Sequence, residues 1–176
     1  METFRNAVTP PMQKSLSINS GLDLSSTSFN LKASSGRLED VSIEPLIPEL
    51  ASATLTPSSA SSLNIHLVAG AGELLQGNRP IANLTFNAGT NTHSEIVTLQ
   101  PQNITAIRST GVSVPQAKEV NGRLVLIGLE PLLEASPGTP VSLKLYGIPD
   151  QSYTLEFSKV WDFFSNRGWK PEGAHH

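Results

Sequence analysis

Apolar and polar residues alternate at every second position along most of this chain. In residues 79–89, RPIANLTFNAG, the apolar positions are Ala82, Leu84 and Phe86. Period two is the spacing of a β-strand that turns one face to a core and the other to solvent. The same alternation predicts strands in residues 27–33, 38–45, 62–70, 94–107, 120–128, 140–147 and 152–158.

Turn residues separate these strands at a spacing of roughly ten residues, which is typical of antiparallel β-sandwiches. Asn121-Gly122, immediately before a strand, is a strong hairpin-turn signal. We therefore predict an all-β fold: an antiparallel β-sandwich of jelly-roll or Ig-like type, with about nine strands and little helix.

Other local patterns are less regular. Residues 17–33 indicate two strands joined by a short loop, and residues 94–107 indicate two short strands divided at Pro101. Residues 45–53 and 72–77 could each form a helical turn. Residues 158–169 are compatible either with a short helix or with an aromatic tail without regular structure.

Composition suggests four segments. We predict an irregular N-terminal segment (1–14), a β-sandwich (15–128) and a linker rich in proline and glycine (129–140). The last segment, 141–176, is predicted to hold an extra strand pair and an aromatic tail, and it is similar to part of an Ig-like repeat.

Composition also excludes several functions. The net charge is −3 and no basic run is interleaved with aromatic residues, so nucleic acid is not an expected partner. There is no cysteine, which excludes thiol catalysis and thiolate metal sites. No run of eighteen apolar residues predicts a membrane span, and no signal peptide is recognised. We expect no cofactor. A structural calcium would need loop carboxylates, and Asp23, Asp40 and Asp150 are scattered without EF-hand spacing.

Three motifs occur in a characteristic order along residues 15–128. They are Leu38-Val41-Ile43, Pro80-Ala82-Leu84-Phe86 and Asn121-Gly122-Val125-Ile127. This order resembles the cohesin-like modules of bacterial surface and cellulosome proteins, a β-sandwich family similar to carbohydrate-binding domains. The chain departs from the family pattern in two places. Its first strand, of GxxVxVPV type, is missing, and Ala33–Ser35 replaces the frequent YDP.

The resemblance implies a non-catalytic recognition or structural module of a larger bacterial surface or secreted protein. Its partner would be a protein, either dockerin-like or a second copy, bound through one flat sheet face. By resemblance, the strands at 63–68 and 81–87 contribute to this face. The outward positions on these two strands are Asn64, His66, Asn83, Thr85 and Asn87.

Two alternative functions remain open. A carbohydrate-binding module accessory to a glycoside hydrolase would bind polysaccharide on aromatic side chains, and the candidates are Tyr146, Tyr153, Trp161 and Trp169. A small hydrolase would need a pocket around His66 or His93 with a carboxylate nearby.

The missing first strand predicts an exposed sheet edge, because unpaired backbone groups recruit other strands. Residues 6–13 could cover it, although Pro10-Pro11 cannot donate ladder hydrogen bonds. Residues 141–147 or 152–158 could fill it instead, or two copies of the chain could pair there as a homodimer.

Overall fold

A computed structural model describes residues 11–88 and 93–154. These residues form nine β-strands and no helix. The strands are β1 (Met12–Ala33), β2 (Leu38–Pro45), β3 (Leu50–Ser59), β4 (Ser62–Ala69), β5 (Leu75–Ala88), β6 (Glu95–Arg108), β7 (Gly122–Leu126), β8 (Leu132–Ser136) and β9 (Ser142–Tyr146).

β1 is a 22-residue strand that belongs to both layers of the sandwich. Its first half, Met12–Leu24, pairs antiparallel with β5. Its second half pairs with β4 on one side and β6 on the other. The predicted loop near Gly21 is absent, and the pairing register shifts between Ser20 and Leu24 instead. A bulge of this kind bends a strand, which allows β1 to cross between layers without interruption.

The strand order is therefore β2-β5-β1 in one layer and β6-β1-β4-β3 in the other, with β7 paired to the start of β6. Both layers turn their apolar faces to one core. The largest fully buried side chains are Phe86, Ile65, Leu67, Leu75, Leu126 and Val97. No polar or charged residue within the described ranges is buried. The predicted all-β antiparallel sandwich is confirmed.

Three local predictions are wrong, and strand neighbours explain why. β3 begins inside residues 45–53, where a helical turn was expected. Among the described strands it pairs with β4 alone, and such an edge strand tolerates Pro57. β5 begins at Leu75, inside the second expected helical turn. β6 is continuous through Pro101, which lies beyond Leu99, the last residue paired with β7. A missing donor there breaks no hydrogen bond to β7.

The region after the sandwich also differs from expectation. Leu132–Ser136, placed in the predicted linker, is a strand that pairs with Ser142–Tyr146 in a separate two-stranded sheet. The Pro137-Gly138-Thr139-Pro140 stretch is therefore the turn of a hairpin. Proline and glycine are common to turns and linkers, so composition alone did not distinguish them. The other predicted strand, 152–158, is not confirmed in its described part, because residues 152–154 have no regular secondary structure. Residues 155–158 lie outside the described part of the chain.

Candidate functional site

A polar surface covers the outer face of the layer formed by β3, β4, the second half of β1, and β6. Strand registers align two rows of side chains across these four strands. One row is Thr56, Asn64, Asn30 and Gln102, and the next is Thr54, His66, Ser28 and Thr105. Their neighbours along each strand, such as Ile65 and Leu31, point into the core. We call these eight residues the polar face.

The chemistry of the polar face is that of amides and hydroxyls. Its two rows contain no carboxylate, and His66 is the one ionisable residue in them. Lys32 lies on the adjoining row beside Ser62 and Gln100. Asn64 and His66 are exposed, while Ile65 between them is 1% exposed. The face can therefore donate and accept hydrogen bonds in a fixed register, and no carboxylate lies beside His66 in the two rows.

The structure separates the five residues predicted for partner binding. Asn64 and His66 lie on β4. Asn83, Thr85 and Asn87 lie on β5, which pairs with the opposite half of β1 and with β2. Because both strands turn their apolar sides to the same core, their polar sides face away from each other. The expectation that these two strands share one face is wrong.

The side-chain amides of Asn83 and Asn87 on β5 already make hydrogen bonds within the chain. Ser15 Oγ donates to Asn83 Oδ1 at 2.9 Å, and Asn87 Nδ2 donates to Asp40 Oδ2 at 3.1 Å. Asn83, Thr85 and Asn87 are half-buried. This side of the sandwich therefore offers fewer unengaged polar groups than the polar face does.

Six residues of the polar face were not among the predicted site residues. The alternation in residues 27–33 already placed Ser28 and Asn30 on the polar side of a strand. Nothing local indicated that this strand lies next to β4, because the two are more than thirty residues apart. Thr54 and Thr56 were missed because β3 itself was not predicted.

The two described tyrosines of the carbohydrate alternative contact their own hairpin. Tyr146 Oη donates to Glu134 Oε2 at 2.9 Å, and its ring receives Lys144 Nζ at 4.8 Å from the centroid. Tyr153 Oη accepts a hydrogen bond from Ile148 N at 2.8 Å. Both tyrosines are half-buried. Trp161 and Trp169 lie outside the described residues.

The hydrolase alternative requires a pocket at one of two histidines. His93 Nδ1 is 2.9 Å from Glu130 Oε1, but both side chains are more than half exposed. Neither His66 nor His93 lines the cavities found in residues 11–88 and 93–154. The same residues contain no group of three or more metal-ligating side chains. No helix within the described ranges is long and apolar enough to cross a membrane.

An ionic cluster lies where β1 crosses from one layer of the sandwich to the other. Asp23 Oδ1 accepts from Arg108 Nη2 at 2.6 Å, and Asp23 Oδ2 accepts from Ser109 Oγ at 2.5 Å. These hydrogen bonds, that of Ser109 foremost, lower the pKa of Asp23 from 3.8 to about 2. The cluster joins β1 to the end of β6.

We expect Asp23→Asn to lower the stability of the protein at neutral pH and to change its pH dependence. Because the folded-state pKa lies below that of the unfolded chain, the carboxylate stabilises the fold fully above pH 3.8. This contribution is lost as the pH falls through about 2. Urea denaturation at pH 6, 4, 3 and 2 measures the free energy of unfolding of both proteins. We expect the difference between the two values to shrink as the pH falls. Asp150→Asn, at an exposed loop aspartate, is the control. A constant difference from pH 6 to 2 would contradict the assignment.

Comparisons with known proteins bear on the fold. No protein-family model matches the chain, and no curated protein matches it. Among solved structures, it is similar to the sixth cohesin from scaffoldin B of Acetivibrio cellulolyticus, solved in complex with a mutant Cel5 dockerin. The TM-score is 0.53 at 18% sequence identity, over 68% of this chain and 89% of that chain. The protein therefore has a cohesin-like fold, as its sequence motifs predicted.

Proposed function

We propose that this chain is a non-catalytic protein-recognition module and that its partner binds the polar face. The observation that supports this most directly is the pair of residue rows that crosses four adjacent strands. These rows present amide, hydroxyl and imidazole groups on one surface without a pocket, and six of the eight residues are exposed while Ser28 and Asn30 are half-buried. Such a surface suits a complementary protein surface better than a small substrate, which is usually held in a concave site.

Two further observations support the choice of partner and of face. The cohesin of similar fold was solved in complex with a dockerin, so this architecture is compatible with binding a protein module. On the opposite side of the sandwich, Asn83 and Asn87 already make hydrogen bonds within the chain. A partner there would have to compete for those groups.

The proposed setting is a larger bacterial surface or secreted protein in which this module supplies attachment. The expected partner is dockerin-like. Polysaccharide is the runner-up ligand, but the two rows of the polar face contain no aromatic residue on which a sugar ring could stack. A glycan site would therefore have to use other surfaces.

The test is a titration of the full chain with a panel of dockerin modules, beginning with the Cel5 dockerin, by calorimetry. Asn64→Arg and His66→Glu should each weaken binding by about tenfold or more, because they place a charge at the centre of the interface. Thr85→Arg, on the outer side of β5, is the matched control and should leave the affinity unchanged.

Three results would contradict the proposal. The first is that no dockerin in the panel binds. The second is that Thr85→Arg weakens binding as much as His66→Glu does, which would move the interface to the β5 side. The third is saturable binding of cello-oligosaccharides without binding of any dockerin, which would favour the carbohydrate alternative.

A further inference from the structure

Two asparagines of the chain lie in the sequence Asn-x-Thr. One is in Asn83-Leu84-Thr85 on β5 and the other is in Asn103-Ile104-Thr105 on β6. An asparagine followed two residues later by serine or threonine, with any residue but proline between them, is the acceptor sequence for N-glycosylation. Because the motif is short and the attached glycan is bulky, the surroundings of each asparagine decide whether it can accept one.

Asn103 lies at an irregular point of β6. The register of β6 against β1 shifts between Ser28 and Asn30, so that Asn103 and Ile104 lie opposite Phe29 alone. A β-bulge of this kind leaves a residue out of the ladder of backbone hydrogen bonds. The segment around Asn103 is therefore tied less firmly to its neighbour than a regular strand is.

The backbone conformation at Asn103 is also unusual, with a φ of 53°. This is the left-handed region, which asparagine adopts more readily than most residues other than glycine. Backbone geometry thus favours asparagine or glycine at this position, but it places no requirement on Thr105. Asn103 and Thr105 are both exposed, while Ile104 between them is half-buried. Both polar residues of the acceptor sequence are therefore accessible.

Asn83 has different surroundings. It is half-buried, and its backbone is paired on both sides, with Ser15 of β1 and Glu44 of β2. Its side-chain Oδ1 accepts a hydrogen bond from Ser15 Oγ at 2.9 Å. To reach the active site of a transferase, this segment would have to leave two ladders at once. The fold therefore protects Asn83 and presents Asn103.

We propose that Asn103 is an N-glycosylation site of the folded protein. The substrate is an oligosaccharide carried on a polyprenyl pyrophosphate. The side-chain Nδ2 of Asn103 attacks C1 of the first sugar, and a C–N bond forms as the bond between C1 and the pyrophosphate oxygen breaks. Polyprenyl pyrophosphate leaves with the electron pair, and the nitrogen loses one proton. Such a modification is typical of exported proteins, which agrees with the proposed surface or secreted setting.

The glycan would lie to one side of the polar face. β1 separates β6 from β4, the strand that carries Asn64 and His66. Two strand spacings place Asn103 about 10 Å from these two residues across the sheet. A glycan at Asn103 therefore leaves the centre of the polar face open to a partner, so the two proposals can be tested separately.

Transfer of a glycan to the folded full chain tests the proposal. The protein is incubated with an oligosaccharyltransferase that requires only Asn-x-Ser/Thr and with its polyprenyl-pyrophosphate oligosaccharide. Intact mass spectrometry should show the addition of one oligosaccharide, and peptide mapping should place it on Asn103. Ile65→Asp, which puts a carboxylate in the core and is expected to unfold the domain, exposes both sequences and should gain two. In the folded chain, transfer to Asn83 would overturn the proposal. The absence of any transfer to it, when Ile65→Asp is modified, would also do so.

Four variants show whether the reaction uses this sequence. Asn103→Gly removes the acceptor but keeps the left-handed backbone, because glycine adopts positive φ without strain, and it should abolish the transfer. Thr105→Ser keeps the acceptor sequence and should still be modified, whereas Thr105→Ala should not. Asn83→Gln is the matched control and should be modified as the unaltered chain is. Equal modification of Thr105→Ser and Thr105→Ala would overturn the proposal, and none of these results depends on dockerin binding to the polar face.

Discussion

Replacing Ile65 with aspartate is expected to unfold the domain, whereas the same replacement at the adjacent His66 leaves it folded. Ile65 is 1% exposed and faces the core from β4. A carboxylate there has no partner among the apolar residues of the core, so we expect a loss of more than about 4 kcal/mol in the free energy of unfolding. At His66, which is exposed, the expected change is within about 0.5 kcal/mol.

Far-ultraviolet circular dichroism and thermal melting of the two variants measure this difference. The pair is matched, because the same residue is introduced at consecutive positions of one strand. A stable, cooperative Ile65→Asp variant would show that the faces of β4 are reversed. It would then also remove Asn64 and His66 from the polar face, since a shift of one residue exchanges the two sides of a strand.

Phe86→Ala is expected to cost about 3–5 kcal/mol in the free energy of unfolding. Phe86 is 2% exposed and is the largest of the fully buried side chains. It lies on β5 and pairs with Met12 at the start of β1. Removing its ring therefore leaves a cavity between the two layers, and β-strands held by long-range pairing cannot easily close around it.

Urea denaturation, fitted as a two-state transition, gives this value. Thr85→Ala, at the preceding residue on the outer side of β5, should change the free energy by no more than about 0.5 kcal/mol. Phe86→Leu keeps most of the buried volume, so its free energy of unfolding should fall by less than that of Phe86→Ala. A loss below about 1 kcal/mol for Phe86→Ala would mean that Phe86 does not lie in the shared core.

Much of the core was predictable from the sequence, because burial follows the period-two pattern of each strand. Ala82, Leu84 and Phe86 were predicted to be buried from the opening stretch alone, and all three are at most 2% exposed. The motifs from Leu38 to Ile127 also predicted the cohesin-like fold. In both cases the information is local, since each strand carries its own alternation of apolar and polar residues.

The strand boundaries were less predictable, since neighbouring strands decide them. Gly21 and Pro101 are ordinary signals for a loop and a strand end, yet both lie inside continuous strands. β1 is held across Gly21 by pairing with β5 before it and with β4 and β6 after it. Turn and breaker propensities are worth about 1 kcal/mol, and several tertiary contacts outweigh them.

The sequence by itself determined which side of each strand is polar, and hence that Asn64, His66, Asn83, Thr85 and Asn87 all point away from the core. Only the tertiary structure decided which polar sides come together. Because β1 pairs with β5 through one half and with β4 through the other, it divides that set between two opposite surfaces. Pairing between strands far apart in the chain is set by packing and backbone hydrogen bonds across the sandwich. The alternation within one strand does not indicate which other strand lies next to it.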